Sequence, residues 1–470
     1  MMKLRKLSPG VVLLLAGLLG GCTTLAPDYT RPPAPVADTW PTPLSTDAPG
    51  TRQGMADIAW RDFFVDTRLQ HLIDLALGNN RDLRATALAI VKARAQYRIQ
   101  EAALYPAVSA DAGTTARRTP GDLSGGQAVT SRSHSVDLGV SNWEIDLFGR
   151  IQSLRDQALE SYLASEETLR STRISLVAEV ATAYLTLSAD EALLALARET
   201  LSNQQASHAL TRKRVELGIG TELELHQIET SVETARRDVA AYTAQVDTDR
   251  NALALLVGTQ LPDALLPPAG LESITALRDI PVGLPSSVLQ QRPDVLAAER
   301  QLRAANANIG AARAAFFPSI SLTATAGTAS GSLGGLFAAG SGAWTFVPQI
   351  SLPIFNAGAS QANLRAAEAD RDIYLARYEQ TIQSAFREVA DALAQRATLY
   401  ARLDAQQRLV DATAASYRLS EARYQKGVDS YLSALDAQRS LYTARQNLVS
   451  LKLLAASNAV TLYKVLGGGA

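Results

Sequence analysis

The sequence predicts a mainly α-helical chain with a smaller β part, built as two copies of one large unit. Two observations predict it. Long intervals free of glycine and proline recur at a fixed spacing, and a pair of segments with period-two alternation precedes each interval. The composition, 47% hydrophobic and 19% charged over 470 residues, is that of a folded chain with a sizeable core.

The repeat is visible in the glycine and proline breaks. Between Gly149 and Gly218, and again between Gly358 and Gly427, 68 residues contain neither residue type. A displacement of 209 positions superposes these glycines, whereas residues upstream superpose at 212, so three extra residues of the first copy fall between Pro106 and Gly149. This period is too long for a solenoid and indicates two copies of one large unit.

The two copies are predicted to span residues 58–258 and 286–467, joined by a proline-rich linker at 259–285. Their uninterrupted intervals are rich in Ala, Leu, Arg, Glu and Gln, which predicts long helices over 150–257 and 359–466 that turn at a glycine. Sixty-eight helical residues reach on the order of 100 Å, so such helices need neighbours along their length. The apolar set between residues 174 and 187 is wider than one coiled-coil seam and predicts packing on two sides.

Strand pairs are predicted within residues 103–147 and 315–355, with Gly-rich loops at Pro120–Gly126 and Ser330–Gly342. One face of each pair is apolar and the other is small and polar, the lipid-out, water-in pattern of a membrane barrel. Such barrels need at least ~8 strands, and open edges are not viable in lipid, so other copies of the chain must close the wall. A soluble antiparallel sheet packed on helices is the alternative that alternation alone leaves open.

The first residues predict export. Residues 1–21 have the positive front, apolar middle and small-residue end of a signal peptide, and Leu19-Gly20-Gly21-Cys22 resembles the bacterial lipobox, in which the cysteine is lipidated. Cys22 is the only cysteine of the chain; the alternative is an ordinary signal peptide with an incidental cysteine. Thr23 is not the aspartate typical of inner-membrane lipoproteins, which points to the outer membrane. Residues 22–57 are then a lipid anchor and a proline-rich extended linker.

Several classes of function are disfavoured. Removal of the signal changes the formal charge from −1 to −4, because three cations and no anion are lost, and no basic footprint for nucleic acid is present. After the signal no stretch reaches ~18 apolar residues, so no transmembrane helix is expected. The four histidines have no metal-ligand spacing, and neither a phosphate loop nor a nucleophile motif occurs. The sequence therefore predicts no enzyme, no metal site and no cofactor.

Three segments carry a family resemblance. They are Arg423–Arg439, Trp143–Gly149 and Leu352–Gly358. With the lipidated N-terminus and the twofold repeat, they make the chain similar to the TolC-like outer membrane factors, in particular the lipoprotein branch of RND-type efflux systems. The resemblance implies a homotrimer with a 12-stranded β-barrel, four strands per chain, continued by an α-barrel in the periplasm. It also implies a periplasmic adaptor (a membrane fusion protein), an inner-membrane RND-type pump and outer-membrane lipid as partners.

The same resemblance implies where the adaptor docks. In this family the periplasmic helix hairpins are the docking points, and here they contain Gly218, Gly220 and Thr221 in the first copy and Gly427 and Ser430 in the second. These glycines are also the flexible points of otherwise rigid intervals. Simple turns would need the same glycines, and a turn can also be an interface.

An acidic aperture is implied beside the second hairpin. Asp436 matches one aspartate with which the family closes its periplasmic end, whereas Ser433 stands where another is usual, so Asp429 is the candidate for the missing charge. Acidic residues are equally usual on a solvated helix face. Tyr424 and Glu224 match positions that tether neighbouring hairpins in the closed state, but Asp429 falls where a tethering arginine is usual, so the latch here must differ.

The predicted function is a passive trimeric conduit of a tripartite efflux system, opened by the adaptor and pump, which supply the energy. The alternative is a structural or adhesive envelope lipoprotein that passes no solute. Small polar residues such as Ser319, Ser321 and Thr323 on one strand face suit a duct and are not needed in a scaffold. The cargo is not encoded in any motif, although the lack of Met and His clusters disfavours metal handling.

Overall fold

The structure, a computed structural model, describes residues 24–41, 58–271 and 286–468. The predicted signal peptide (1–21), Cys22 and parts of both linkers lie outside the described residues. The helices and strands are α1 (Trp60–Phe63), α2 (Thr67–Asn79), α3 (Arg81–Ala102), β1 (Val108–Thr119), β2 (Val129–Ile145), α4 (Arg150–Glu216), α5 (Glu222–Val257), α6 (Pro293–Ala314), β3 (Ser319–Ser330), β4 (Gly342–Ser351), α7 (Ala359–Gln425) and α8 (Tyr431–Val465).

The twofold repeat is present in the element lengths. Helices α4 and α7 have 67 residues each, and their first residues are 209 positions apart. Helices α5 and α8 have 36 and 35 residues and begin at the same displacement. Strands β1 and β3 have 12 residues each. The predicted fold class, long helices with four strands in two repeats, is confirmed, and both 67-residue helices run without a break.

The start of α4 is fixed by local hydrogen bonds. Gly149 has a φ of 68°, which turns the chain out of β2 at a conformation that L side chains rarely adopt. The Asp146 carboxylate then accepts a hydrogen bond from the Gln152 backbone N–H at 2.7 Å. Arg150 binds Glu144 through two bonds of 2.8 and 2.6 Å. Local hydrogen bonds therefore fix the change of direction from β2 to α4, within the predicted junction segment Trp143–Gly149.

The four strands form one antiparallel sheet in the order β1-β2-β3-β4. In its register Val108 lies opposite Val140. Between β2 and β3 the register shifts after Val140, where Asn142 has a φ of 54° and its backbone N–H donates to Thr323 Oγ1 at 3.0 Å. Among the described strands, β1 and β4 each have one edge without a partner. The sheet is therefore open at both sides.

One face of the sheet carries the apolar side chains. Because directly opposed residues share a face, the register identifies its members: Val108, Ala110, Ala112, Val136, Leu138, Val140, Trp143, Ile145, Ile320, Leu322, Ala324, Ala326, Trp344, Phe346, Pro348 and Ile350. Trp344 and Ile350 are 77% and 70% exposed. The other face is small and polar, with residues such as Ser321, Thr323 and Thr325. Two exposed valines, Val129 and Val347, also lie on this polar face, but the aromatic side chains and most aliphatic ones lie on the other. That concentration of large exposed apolar side chains is the pattern of a lipid-facing sheet.

Contacts divide the chain into two compact units, and each unit draws on both repeats. The described parts of the first unit are residues 24–33, 89–166 and 297–378, which include the sheet. Its core is built from small and aliphatic side chains of α4 and α6, including Ile151, Leu302 and Ile309. Small side chains allow the helices to approach closely.

The N-terminal segment 24–33 lies against α6 of the first unit as an extended strap, with no helix or strand. Asn306 donates to the Pro27 carbonyl at 2.7 Å, and a Cβ on Gly310 would come within 2.7 Å of the Ala26 nitrogen. Glu299, buried with 4% of its side chain exposed, binds Arg31 of the strap at 2.5 Å. The proline-rich segment therefore has no regular structure, but it is held in place by its contacts with α6.

Glu299 is the charged centre of that attachment. Burial opposes its negative charge, but hydrogen bonds from Arg31 and Arg303 outweigh burial and lower its pKa. Tyr29 adds a hydrogen bond at 3.2 Å, and the Arg303 guanidinium lies 4.6 Å from the centre of the Tyr29 ring. Removing Arg31 would leave a buried carboxylate with half its cationic partners, so the strap and α6 depend on each other.

The second unit comprises residues 34–41, 58–88, 167–271, 286–296 and 379–468 of the described chain. The rings of Phe63 and Tyr463 stack at 4.4 Å in its core. Buried Arg292 binds Asp294 and Glu388 at 2.6 and 2.9 Å. The predicted apolar set of α4 is buried throughout: Ile174, Leu176, Val177, Val180, Tyr184, Leu185 and Leu187. Packing of α4 on more than one side follows.

Two of the described helices, α4 and α8, are long and apolar enough to cross a membrane by length and composition. The expectation that no transmembrane helix follows the signal stays a prediction, because this test uses mean hydropathy and also passes buried core helices. Of the apolar window in α4, 56% is buried inside the chain itself, as in the core helix of a soluble domain. A side chain already covered by protein is not evidence of contact with lipid.

Two carboxylates face each other where α4 and α5 pack. Asp190 and Asp249 are in contact, and the buried Oδ2 of Asp249 has no hydrogen-bond partner among the described residues. Burial and the neighbouring Asp249 raise the pKa of Asp190 to about 7. Close by, Arg250 and Glu191 form an ion pair at 2.6 Å between the same helices. A proton held by Asp190 would satisfy the buried oxygen of Asp249.

We expect Asp190→Asn to stabilise the protein at pH 8 by roughly 1 kcal/mol, a value reduced for partial exposure. The folded chain keeps a proton that the unfolded chain loses above pH ~4, so this site loses stability as pH rises from about 4 to 7. The side-chain amide of the variant stays neutral at every pH, so its gain in free energy of unfolding over wild type should vanish near pH 4. Unfolding midpoints at pH 4, 6 and 8 measure it, with Glu191→Gln as a control that loses an ion pair. Destabilisation of Asp190→Asn at pH 8 would contradict the shared proton.

Candidate functional site at the helix hairpins

The two helix hairpins turn by the same backbone motif. Gly218 has a φ of 75° and Gly427 a φ of 72°. In the first hairpin the Gly218 and Ile219 N–H groups donate to the Val215 and Arg214 carbonyls, both at 2.9 Å. The second hairpin repeats these bonds at the positions displaced by 209. Each long helix therefore ends in a Schellman motif, which a left-handed glycine permits without strain.

The helices that leave the turns begin differently. Thr221 caps α5: its Oγ1 accepts from the Glu224 N–H, and the Glu224 carboxylate accepts from the Thr221 N–H, both at 3.2 Å. Ser430 precedes α8 without a side-chain cap bond. Gly220 is packed tightly, because a Cβ there would lie 3.1 Å from the Val215 nitrogen. Glu224, predicted as part of a latch, is thus held inside its own hairpin in this state.

An apolar cluster joins the two hairpins near their turns. Ile228 of α5 and Leu435 of α8 are 0% and 1% exposed, and Tyr431 packs with them. The Tyr424 ring meets the Tyr431 ring edge to face at 5.3 Å, and the Arg214 guanidinium lies 5.1 Å from the Tyr424 ring centre. The second predicted latch residue, Tyr424, therefore lies at the contact between the hairpins.

The tyrosines of this cluster are incompletely satisfied. The hydroxyls of Tyr424 and Tyr431 are buried and have no hydrogen-bond partner among the described residues. Burial, with smaller effects from Tyr424 and Tyr417, raises the pKa of Tyr431. An unsatisfied buried hydroxyl costs about 1–3 kcal/mol. The cluster is thus less stable than its apolar packing alone would make it.

The two candidate aperture acids have different surroundings. Asp429 lies in the turn and accepts two hydrogen bonds from Arg423, at 2.5 and 3.0 Å. These bonds lower the pKa of Asp429, and its charge is balanced by the guanidinium. Asp436 is exposed on α8, on the same helix face as exposed Ser433 three residues earlier. Asp436 is the acid with the less compensated charge.

Asp436 belongs to a longer stripe on α8. Its members are exposed, small and polar, and recur every three or four residues: Ser433, Asp436, Ser440, Thr443, Asn447 and Ser450. This spacing places them on one side of the helix. A helix that packs by its other faces thereby presents a continuous hydrophilic surface to water. The spacing of these residues is readable from the sequence.

Apolar side chains at the hairpin ends form a second feature that was not predicted from the sequence. Ile219 and Leu223 of the first hairpin are 66% and 68% exposed, and Val428 and Leu432 occupy the equivalent positions of the second. Exposed aliphatic side chains at matched positions of both turns mark a contact surface. An apolar residue directly after the glycine of a turn was the available signal.

These features define the class of protein: an export channel with a lipid-facing sheet and long helices that end in exposed turns. The chain belongs to the outer membrane efflux protein family, whose model matches residues 72–259 and 284–468. It is an outer-membrane channel component of an efflux system and extends into the periplasm. The family resemblance predicted from the sequence is confirmed, and no support arises for a scaffold without transport or for an enzyme.

Three relatives illustrate the match. The toluene efflux pump outer membrane protein TtgC of Pseudomonas putida is 50% identical over 457 residues, which cover 97% of this chain and 94% of TtgC. Outer membrane protein OprJ of Pseudomonas aeruginosa is 45% identical over 99% of this chain and 97% of its own length. The open-state structure of the Neisseria gonorrhoeae MtrE outer membrane channel is 39% identical, with a TM-score of 0.86 over 95% of this chain and 98% of MtrE.

We expect Tyr431→Phe to raise the free energy of unfolding by about 1 kcal/mol, because it removes a buried hydroxyl without a partner and keeps the ring. Urea unfolding followed by circular dichroism measures the change. Tyr424→Phe is the matched variant, and it should raise the free energy of unfolding by a similar amount when no adaptor is present. A loss of 1 kcal/mol in Tyr431→Phe would mean that its hydroxyl does have a partner.

Proposed function

We propose that three copies of this chain form a passive export duct with a 12-stranded β-barrel and a periplasmic α-barrel. The observation that carries the proposal is the four-stranded sheet with two open edges and one apolar face. Each unpaired backbone group in lipid costs several kcal/mol, and four strands are too few to close a barrel alone. Pairing β4 of one copy with β1 of the next removes every edge.

The helical part of the duct would be lined by the polar stripe of α8. Ser, Thr and Asn side chains hydrate a passage without holding solutes, because they carry no charge. The relatives' names mention toluene, solvents and antibiotics, so organic solutes are the proposed cargo. An uncharged polar wall discriminates little between such solutes, so the pump would determine which of them are exported.

The hairpin ends are the proposed docking points for a periplasmic adaptor linked to an RND-type pump. Ile219 and Leu223, with Val428 and Leu432, offer aliphatic contacts on both turns. Gly218, Gly220, Thr221, Gly427 and Ser430 shape those turns. Docking would supply the energy that separates the two hairpins where Tyr424 contacts Arg214 and Tyr431 contacts Ile228. Glu224 would be released from its capping box only if α5 frays.

The closed end of the duct is proposed to carry an acidic ring from Asp436, with Asp429 as a weaker contributor because Arg423 balances it. Three Asp436 carboxylates around one axis would favour cations and disfavour anions. The pair Asp429–Arg423 would instead stabilise the turn, since both groups belong to one hairpin.

Cys22 is the proposed lipid attachment. The strap that follows it begins to bind the chain at once, since Thr24 Oγ1 lies 2.9 Å from Ser153 Oγ, three residues into α4. That position is just beyond the strand-to-helix corner at Gly149. A lipid on Cys22 would therefore insert at the membrane surface where the sheet ends.

Conductance in planar bilayers tests the duct. We expect purified wild-type protein to migrate as a heat-resistant trimer and to give small cation-preferring steps. In Asp436→Ala the cation preference should fall because the ring of charge is removed, and the conductance should rise roughly twofold because a shorter side chain widens the narrowest point. Asp429→Ala should change selectivity less, since its charge is already paired. A soluble monomer, or a trimer that stays silent in Asp436→Ala and with adaptor added, would contradict the proposal.

Intact-mass spectrometry tests the anchor. We expect a mature chain that begins at Cys22 and carries the added mass of a diacylglycerol and an amide-linked fatty acid. Cys22→Ala should lack that mass, whereas Thr23→Ala, one residue away, should keep it. A mature N-terminus other than Cys22, with no lipid, would favour an ordinary signal peptide.

A further inference from the structure

The apolar face of the sheet continues into a cationic patch at the loop end of the first strand hairpin. The register places Ala116 opposite Arg132 and Arg118 opposite Thr130, on the face that carries Val108 and Val140. One rung nearer the apolar residues, His134 lies opposite Thr114 on the same face, and their Nδ1 and Oγ1 atoms are 2.9 Å apart. We call Arg118, Arg132 and His134 the outer cationic patch.

The members of the outer cationic patch are close enough to act together. Arg118 and Arg132 are diagonal neighbours across β1 and β2, roughly 7 Å apart at Cα. His134 follows Arg132 on the same face about 7 Å along the strand. Both arginines are exposed, and neither has a carboxylate partner among the described residues. A single multivalent anion could bridge them.

The charge of this patch is not a general property of the sheet. Asp111 and Asp137 lie opposite each other on the other, polar face. The second strand hairpin, residues 319–351, contains no charged residue at all. Asp122 is the only acidic residue of the loop between β1 and β2. Two of the three arginines of the first hairpin, Arg118 and Arg132, therefore lie on the lipid-facing side, and no acidic residue of the strands shares that face.

The patch lies at the edge of the apolar band. From Ile145 to Val136 the apolar residues of β2 span about nine residues, which at about 3.3 Å each and a tilt of about 40° give roughly 23 Å, close to the ~25 Å band of such barrels. His134 and Arg132 follow about 5 and 10 Å beyond it. Arginine is costly in the middle of the bilayer and nearly neutral at the interface, so this is the level of lipid headgroups.

The leaflet follows from the connections. Both strand hairpins continue into helices at their open ends, and the helices extend into the periplasm, so the loop ends face the cell exterior. We propose that the outer cationic patch binds the phosphate groups of the phosphorylated glycolipid in the outer leaflet. A guanidinium matches phosphate with two parallel hydrogen bonds, and the apolar residues below would contact the acyl chains of the same molecule.

Lipid binding by purified trimer tests the patch, measured by native mass spectrometry against diphosphorylated lipid A. We expect the double variant Arg118→Gln/Arg132→Gln to bind at least roughly tenfold more weakly than wild type, because two charge-assisted contacts are lost. The matched control is Arg117→Gln, which removes the same charge from the adjacent position on the polar face and should bind within about twofold of wild type.

Two further probes identify the chemistry. Lipid A stripped of its phosphates should bind wild type as weakly as the double variant, and millimolar inorganic phosphate alone should not displace the lipid. Equal binding by wild type and the double variant, an equal loss in Arg117→Gln, or an equal affinity for phosphatidylglycerol would overturn the proposal. Because it rests on the proposed barrel, trimer migration and conductance are recorded for each variant, so loss of the barrel and loss of the lipid site are distinguishable.

Discussion

The constraint on which the rest of the structure depends is that a backbone polar group in lipid needs a partner made of protein. The described residues form four strands in one sheet, so two rows of N–H and C=O groups are left without a partner among them, at β1 and β4. Water satisfies such groups in a soluble protein, and hydrocarbon does not. An apolar face that requires lipid and open edges that lipid rejects are compatible only when copies of the chain pair with one another.

The long helices meet a similar requirement by different means. A 67-residue helix is far longer than propensity alone maintains, and α4 is stabilised by buried aliphatic side chains over its middle part. The turns at Gly218 and Gly427 satisfy their own carbonyls and need no partner to form. Each hairpin therefore turns independently, and the cluster of Ile228, Tyr431 and Leu435, with two unsatisfied tyrosine hydroxyls beside it, is what joins the two turns.

Much of the fold was predictable because glycine and proline residues mark where the long helices begin, turn and end. The 209-residue displacement located both 67-residue helices, and alternation located the four strands. The sequence could not indicate how Asp429 and Glu224 are used, since each is engaged by a neighbour in its own hairpin that spacing does not reveal. The acid pair Asp190–Asp249 joins residues 59 positions apart, and the bond from Arg31 to Glu299 joins residues 268 apart. Contacts of this range depend on packing geometry.

The equal lengths of α4 and α7 restrict how the gene can change. Two helices of 67 residues that start 209 positions apart carry their turns to matching distances from the strand-to-helix corners. Insertion of seven residues into one of them would preserve its apolar periodicity and yet move its turn by roughly 10 Å relative to the other. Insertions and deletions in these helices should therefore survive only as matched pairs, so the two halves of the gene, although free to diverge in sequence, are bound to keep a common length.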